Sequence, residues 1–315
     1  MKEAITAKAL EKTFNGFKAV DCISFTVHSG EIFGFLGPNG AGKTTTVRML
    51  TGVIKPDGGN ASVMGFDVVA ETLKARELIG VVPEAANAYP DLSAWKNMML
   101  IASLYGIGKR EAEMRTAELL KEFGIYERRD SKVKTLSKGM KQRLMLSMAL
   151  VSDPELLFLD EPTSGLDVMS ARLIREKIIE LSEAGKTVFL TSHNMEEVNL
   201  LCERIGVINH GKIVTIDSPD NLRHRIGGAL AVDVVFNRAV KLAGFPDAMR
   251  VRDGYRLYTT EPHDTICSIV DFALHSGLKI VSLNVCLPSL EDIFLRLTGE
   301  GEGGLHLHDD DNNTT

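Results

Sequence analysis

The chain opens with two stretches in which apolar and polar residues alternate, Ile5–Leu10 and Cys22–Val27, on either side of a polar turn at Asn15–Gly16. Period-two alternation around an Asn-Gly pair predicts two antiparallel strands, each with one buried face. The pattern then changes. "EIFGFLG" (Glu31–Gly37) is a short apolar run closed by glycine, which reads as a strand buried on both faces. A helical stretch follows from about Gly42 to Thr51, and Gly52 and Pro56 stop it.

Between Asp91 and Ser152 the apolar residues recur every three to four positions. "LSAWKNMMLIASLYG" and "KREAEMRTAELLKEFG" both carry that spacing, and both end in glycine as helices do. Buried-strand character returns at "LLFLD" (Leu156–Asp160) and "TVFLTS" (Thr187–Ser192), with a helix-like segment, Val168–Ala184, between them. Such alternation predicts an α/β core on a parallel sheet. A hairpin at Arg204–Ile216, turning at His210–Gly211, closes a first domain over residues 1–218, with its helical part at about 85–152.

Residues 219–300 read as a small α+β domain. Its strand-like runs lie at Ala229–Phe236, Met249–Arg252, Tyr255–Thr260 and Leu278–Val285, with a hairpin turn at Asp253–Gly254. Helical segments are expected around Asp220–Arg225, His263–His275 and Ser289–Leu297, the last with Leu290, Ile293, Phe294 and Leu297 as its buried stripe. Residues 301–315 read as a disordered acidic tail, and "HLHDDDNN" within it as solvated rather than metal-binding.

Composition narrows the class without changing this picture. The 315 residues suit two domains, and 44% hydrophobic with 25% charged residues is ordinary globular usage. A net charge of −6 argues against a nucleic-acid surface, which carries a basic excess. The four cysteines, Cys22, Cys202, Cys267 and Cys286, form no CxxC pair and read as small buried residues in a reducing compartment. The N-terminal stretch interleaves charges where a secretory signal needs an apolar core. No charge-free run approaches the ~20 residues of a membrane span.

Chemistry enters at "GPNGAGKTT". Gly37, Gly42, Lys43 and Thr44 complete the pattern G-x-x-x-x-G-K-[ST], between a strand and a helix. Glycines let the backbone of Gly37, Pro38, Asn39, Gly40, Ala41 and Gly42 wrap an anion with its N–H groups inward, and the following helix adds the positive end of its dipole. Lys43 then meets the β- and γ-phosphates of ATP, and Thr44, with Thr45 beside it, faces the phosphates and Mg²⁺. "LLFLDEP" supplies a carboxylate at a strand end, where open parallel sheets bind ligands. Asp160 is the candidate Mg²⁺ ligand and Glu161 the candidate general base for the attacking water. Alone, this run is also compatible with a buried strand meeting a solvated turn.

"LSKGMKQR" (Leu136–Arg143) is by itself a helix start with Ser137 as N-cap. Beside the other motifs it resembles the LSGGQ element of ABC transporter ATP-binding subunits, with Lys138 for the first glycine and Met140 for the glutamine. The resemblance covers residues 1 to about 218. It implies a P-loop NTPase core with an antiparallel β-subdomain and a helical subdomain, and a head-to-tail pair of ATPase subunits. In such a pair Ser137 and Gly139 close over the ATP held by the other copy. "SGLD" (Ser164–Asp167) resembles the loop joining the two sites, with Asp167 among its contacts. His193 resembles the switch histidine on the γ-phosphate. Phe14 falls where the family stacks an aromatic on adenine, and a core phenylalanine would serve as well there.

One position departs from the family. Glu84, in "IGVVPEAAN", stands where glutamine is usual, near the metal and the attacking water. A carboxylate still accepts hydrogen bonds and binds hard metals, but adds negative charge. The resemblance further implies separate transmembrane permease subunits docking around Glu84–Trp95, and a peripheral place on the cytoplasmic face of the membrane. "LPSLEDIFLRLTGE" (Leu287–Glu300) resembles the ending of drug-, lipid- and sodium-exporting ATPases. The expectation is an ATP-hydrolysing exporter subunit. Alternatives are an importer ATPase, a soluble ABC ATPase of ribosome or DNA, and a binding protein without turnover.

Overall fold

The computed structural model describes residues 2–298 apart from 86–87, 226–229, 241, 243, 247 and 252. β1 (Glu3–Phe14) and β2 (Phe17–His28) run antiparallel across a turn in which Asn15 and Gly16 both take positive φ, 49° and 83°. That backbone matches the strand twist, which is why Asn-Gly marks the hairpin. β3 (Ile32–Leu36), buried throughout, leads into α1 (Lys43–Leu50). β4 (Gly58–Val63) then pairs with the other side of β1, and β5 (Phe66–Asp67) extends it, giving an antiparallel sheet in the order β2–β1–β4–β5.

α2 (Thr72–Glu77) and β6 (Ile79–Val82) precede three helices, α3 (Ala94–Leu104), α4 (Lys109–Glu122) and α5 (Lys138–Leu150). β7 (Leu156–Asp160), α6 (Val168–Glu183), β8 (Thr187–Ser192), α7 (Met195–Leu201), β9 (Arg204–Asn209) and β10 (Lys212–Asp217) follow. The second sheet has six strands in the order β10–β9–β3–β8–β7–β6, parallel except for β10 at one edge. β3, β7 and β8 are apolar runs because a parallel sheet covered on both faces leaves no solvated side. Phe189 of β8 is the hub of the core, with the rings of Phe25, Phe33, Phe35 and Phe158 at centroid distances of 5.5–6.1 Å. Phe25 belongs to β2, so one cluster serves both sheets.

The chain divides into two compact units, residues 1–217 and 218–315. The second contains α8 (Pro219–Arg225), β11 (Leu230–Phe236), β12 (Met249–Val251), β13 (Gly254–Thr259), α9 (Pro262–His275), β14 (Ile280–Cys286) and α10 (Leu290–Thr298). Its antiparallel sheet runs β12–β13–β11–β14, and Ile269 and Ala273 of α9 pack on Val232, Val234 and Leu257. Leu290, Ile293 and Phe294 are buried as the helical spacing requires, while the side chain of Leu297 and residues 301–315 lie outside the described part. Arg256 bonds both oxygens of Asp233 and reaches Asp292 at 2.8 Å, clasping the start of α10 to the sheet.

The cysteine reading needs correction. Cys202 is buried, but Cys22, Cys267 and Cys286 are exposed free thiols. Small size permits burial without enforcing it: Cys22 sits at an irregularity of β2 with φ of 56°, and Cys286 ends an edge strand. No helix among the described residues is long and apolar enough to cross a membrane.

Candidate nucleotide site

The site is assembled by strand order. β3 pairs with β8, setting Leu36 beside Ser192, and β8 pairs with β7, setting Thr191 beside Asp160. Three strand ends therefore open at one sheet edge, carrying Gly37, His193 and Glu161.

The loop after β3 closes at Gly42, whose φ is 110°. A Cβ there would stand 2.5 Å from the carbonyl oxygen of Ala19, so both the conformation and the space demand glycine. α1 begins at the next residue. Lys43, only 5% exposed, donates from Nζ to the carbonyls of Gly37 (2.7 Å) and Pro38 (3.1 Å). Its Nζ also lies 3.3 Å from Glu161 Oε1. That contact is an ion pair whose geometry falls outside hydrogen bonding, since buried Oε1 accepts no hydrogen bond. Thr44 and Thr45 are half-buried, and Asn39 and Gly40 are exposed.

Asp160, 2% exposed, accepts from Thr191 Oγ1 at 2.5 Å. Glu161 takes φ of 52°, a left-handed conformation that costs a side-chain-bearing residue about 1–2 kcal/mol. Its N–H meets both Oγ1 and the carbonyl of Thr191 at 3.1 Å, which holds the turn. The turn leaves Oε2 of Glu161 2.8 Å from His193 Nδ1 and Oε1 facing Lys43. Thr191 was not singled out in the sequence: a threonine in a buried run carries no local sign of its partner.

Ser137 and Gly139 lie elsewhere. Ser137 caps α5, accepting from Met140 N–H at 3.2 Å, and Gly139 packs on α6, where a Cβ would meet Ser170 Oγ at 2.3 Å. Asp167 caps α6 in turn, accepting from the N–H (2.9 Å) and hydroxyl (2.7 Å) of Ser170. Those two bonds hold its carboxyl below the usual carboxylate value. The structure thus brings "LSKG" and "SGLD" together, and no hydrogen bond or ion pair among the described residues joins either to the Gly37–Thr45 loop. Phe14 is 44% exposed with Lys12 Nζ 5.6 Å from its ring centre, so it is not a core residue. Glu84 is exposed. Among the described residues, no group of three or more His, Cys, Asp or Glu is placed to hold a metal.

The sequence profile of the ABC transporter family matches residues 20–164. The linearmycin resistance ATP-binding protein LnrL of Bacillus subtilis (strain 168) is 38% identical over 305 residues, spanning 94% of this chain and 98% of its own. This chain belongs to the ABC transporter family. A second relative of this ABC ATPase, the Nod factor export ATP-binding protein I of Rhizobium sp. (strain N33), is 39% identical, with 95% and 98% covered. The daunorubicin resistance ATP-binding protein DrrA2 of Streptomyces coeruleorubidus is 35% identical, with 94% and 95% covered. A solved ATP-binding subunit of an ABC transporter superposes with a TM-score of 0.66 at 28% identity, covering 71% of this chain and 93% of that one. A dimeric ATP-binding cassette in a post-hydrolysis state, bound to ADP and phosphate, gives 0.64 at 25% identity, with 68% and 98% covered. The ABC ATPase is accordingly an ATP-binding and ATP-hydrolysing transporter subunit.

Proposed function

We propose that two copies of this chain close around two ATP molecules and drive separate membrane subunits that export a drug, lipid, ion or polymer. The observation that carries the catalytic part is Glu161, whose carboxylate is shared between Lys43 and His193 at the meeting of three loops. The loop amides and Lys43 bind the β- and γ-phosphates, and Lys43 leaves its two loop carbonyls to do so. Glu161 takes the proton of the attacking water through Oε1, the buried oxygen with no hydrogen bond of its own. Water oxygen then bonds to the γ-phosphorus as the bond to ADP breaks, with His193 donating to the γ-phosphate.

Mg²⁺ suits the donors present. The Thr44 hydroxyl and the Asp160 carboxylate are hard oxygen ligands, and Thr191 orients the latter. When bound, the ion neutralises phosphate charge. Ser137, Gly139 and the Asp167 loop act on the ATP of the second copy, and Phe14 offers its exposed ring to adenine. Export is supported by the names of the full-length relatives, linearmycin and daunorubicin resistance and Nod factor export. The chain sits at the cytoplasmic face of the membrane through its permease subunits.

The test is Glu161→Gln. Turnover should fall by about 10²–10⁴-fold while Mg-ATP traps a dimer in sedimentation experiments. A variant that stays monomeric in saturating Mg-ATP, with no other ATPase subunit pairing with it, would sink the reading.

A further inference from the structure

Glu197 is a buried carboxylate that the site as described does not use. It lies in α7, four residues after His193, and is 1% exposed. Its Oε1 accepts from Thr163 Oγ1 at 2.5 Å and its Oε2 from Ser192 Oγ at 2.8 Å. Among the described residues it is held by hydroxyls and not by a cation. Its backbone is fixed as well: Asn194 Oδ1 caps α7 by accepting from the N–H groups of Glu196 and Glu197. Leaving a carboxylate in the interior without a counter-charge is costly unless its lone pairs are well satisfied. Here both oxygens are.

The two hydroxyls have a particular address. Thr163 is two residues beyond Glu161, and Ser192 is one residue before His193. Glu161 and His193 touch each other directly at 2.8 Å. The contacts form a closed ring, from Glu161 through Thr163 to Glu197, on to Ser192 and His193, and back to Glu161. Thr163 also opens the turn that leads to Asp167, its carbonyl accepting from the N–H of Leu166 at 3.2 Å.

We propose that Glu197 is the positioning residue of this site: its carboxylate ties the loop bearing the base to the loop bearing the histidine, and so sets the Glu161–His193 contact. Buried, with both oxygens taken by Thr163 and Ser192, it acts through those two residues. The catalytic meaning of that contact rests on the function proposed above; the positioning itself does not. A network of this kind is coupled, so removing one member loosens the others.

The experiment uses the full chain with Glu197→Ala and Glu197→Gln, with Glu161→Gln run in parallel. Glu197→Ala should lower kcat at least about tenfold while KM for ATP stays within about threefold, the pattern of a group that acts on the transition state and not on binding. Glu197→Gln accepts from one hydroxyl and donates to the other, and should restore kcat to within about threefold of wild type. Thr163→Ala added to Glu197→Ala should cost little more, because both break the same tie. The NMR signals of the His193 ring report the contact without turnover: they should shift in Glu197→Ala and return in Glu197→Gln. Unmoved His193 signals, or a fall in kcat matched by an equal fall in folded protein, would overturn the assignment. If Glu161→Gln hydrolyses ATP like wild type, the functional reading fails instead, and the His193 signals still decide for Glu197.

Discussion

His193 Nδ1 stands 2.8 Å from Glu161 Oε2, so the residue after β8 holds the residue after β7 across neighbouring strand ends. His193 is half exposed and Glu161 almost fully buried, which places the histidine between the base and the open side of the site. His193→Ala should lower kcat about 10²-fold or more and leave ATP bound at normal stoichiometry. Steady-state rates with equilibrium nucleotide binding check this. Unchanged turnover would reduce the contact to a structural one.

Lys43 presents a different balance. It is buried between two carbonyls and a carboxylate, so Lys43→Ala removes the phosphate cation and the charge that faces Glu161. ATP affinity should fall at least about tenfold, ~1.4 kcal/mol. The nucleotide-free protein should also lose about 1–3 kcal/mol, because Glu161 Oε1 is left buried without its partner. Nucleotide titration and denaturant melts separate the two effects.

Gly139→Ala tests the pairing of copies without disturbing the loop that binds ATP. The new methyl would press on Ser170 Oγ at 2.3 Å, and Ser170 holds Asp167. ATP binding to the single chain should be unaffected, while the dimer trapped by Glu161→Gln should weaken at least about tenfold. Ser137→Ala should also weaken the trapped dimer, since the proposed role of its hydroxyl is on the second copy's ATP, and should cost α5 its N-cap, about 1 kcal/mol.

Glu84→Gln tests the expectation, carried by the family resemblance alone, that the exposed Glu84 lies near the metal. The Mg²⁺ concentration needed for half-maximal hydrolysis should change; an identical Mg²⁺ dependence would take Glu84 out of the metal site.

Asp292 gives the accessory unit a pH dependence. Burial pushes its carboxyl up, but the hydrogen bonds from the N–H and hydroxyl of Ser289 and the Arg256 charge outweigh this and leave it below the ordinary carboxylate value. A carboxyl lowered in the fold stabilises it fully above the unfolded value, about 3.9, and that contribution disappears as pH falls through the folded value. Hydrogen-exchange protection of residues 290–298 should therefore hold down to about pH 4 and decline below it. Asp292→Asn should be less protected at pH 7 and nearly flat with pH.

The elements legible in the sequence are those whose cause is local. Asn15–Gly16 permits one turn, the 3.6-residue spacing of "KREAEMRTAELLKEFG" permits one buried stripe, and Gly37–Thr44 carries its strand, loop and helix within a dozen residues. The short elements β4, β5, α2, β6 and α7 have too few turns or alternations to show a period, and they appear only once packed. Glu161 and His193 can each be named from their motifs, but nothing local says that they touch. Their contact follows from strand order, since β8 enters the sheet between β3 and β7 although it comes after both in the chain. The same holds for Thr191 on Asp160 and for Glu197 on Thr163 and Ser192, pairs about thirty residues apart or joined through a helix cap. The chain alone determined which chemical groups the protein possesses and the strand, glycine loop and helix between Ile32 and Leu50, because backbone geometry and periodicity act over a few residues. Which of those groups share a proton or a carboxylate was decided by the sheet, because hydrogen bonds reach only across distances that tertiary packing sets.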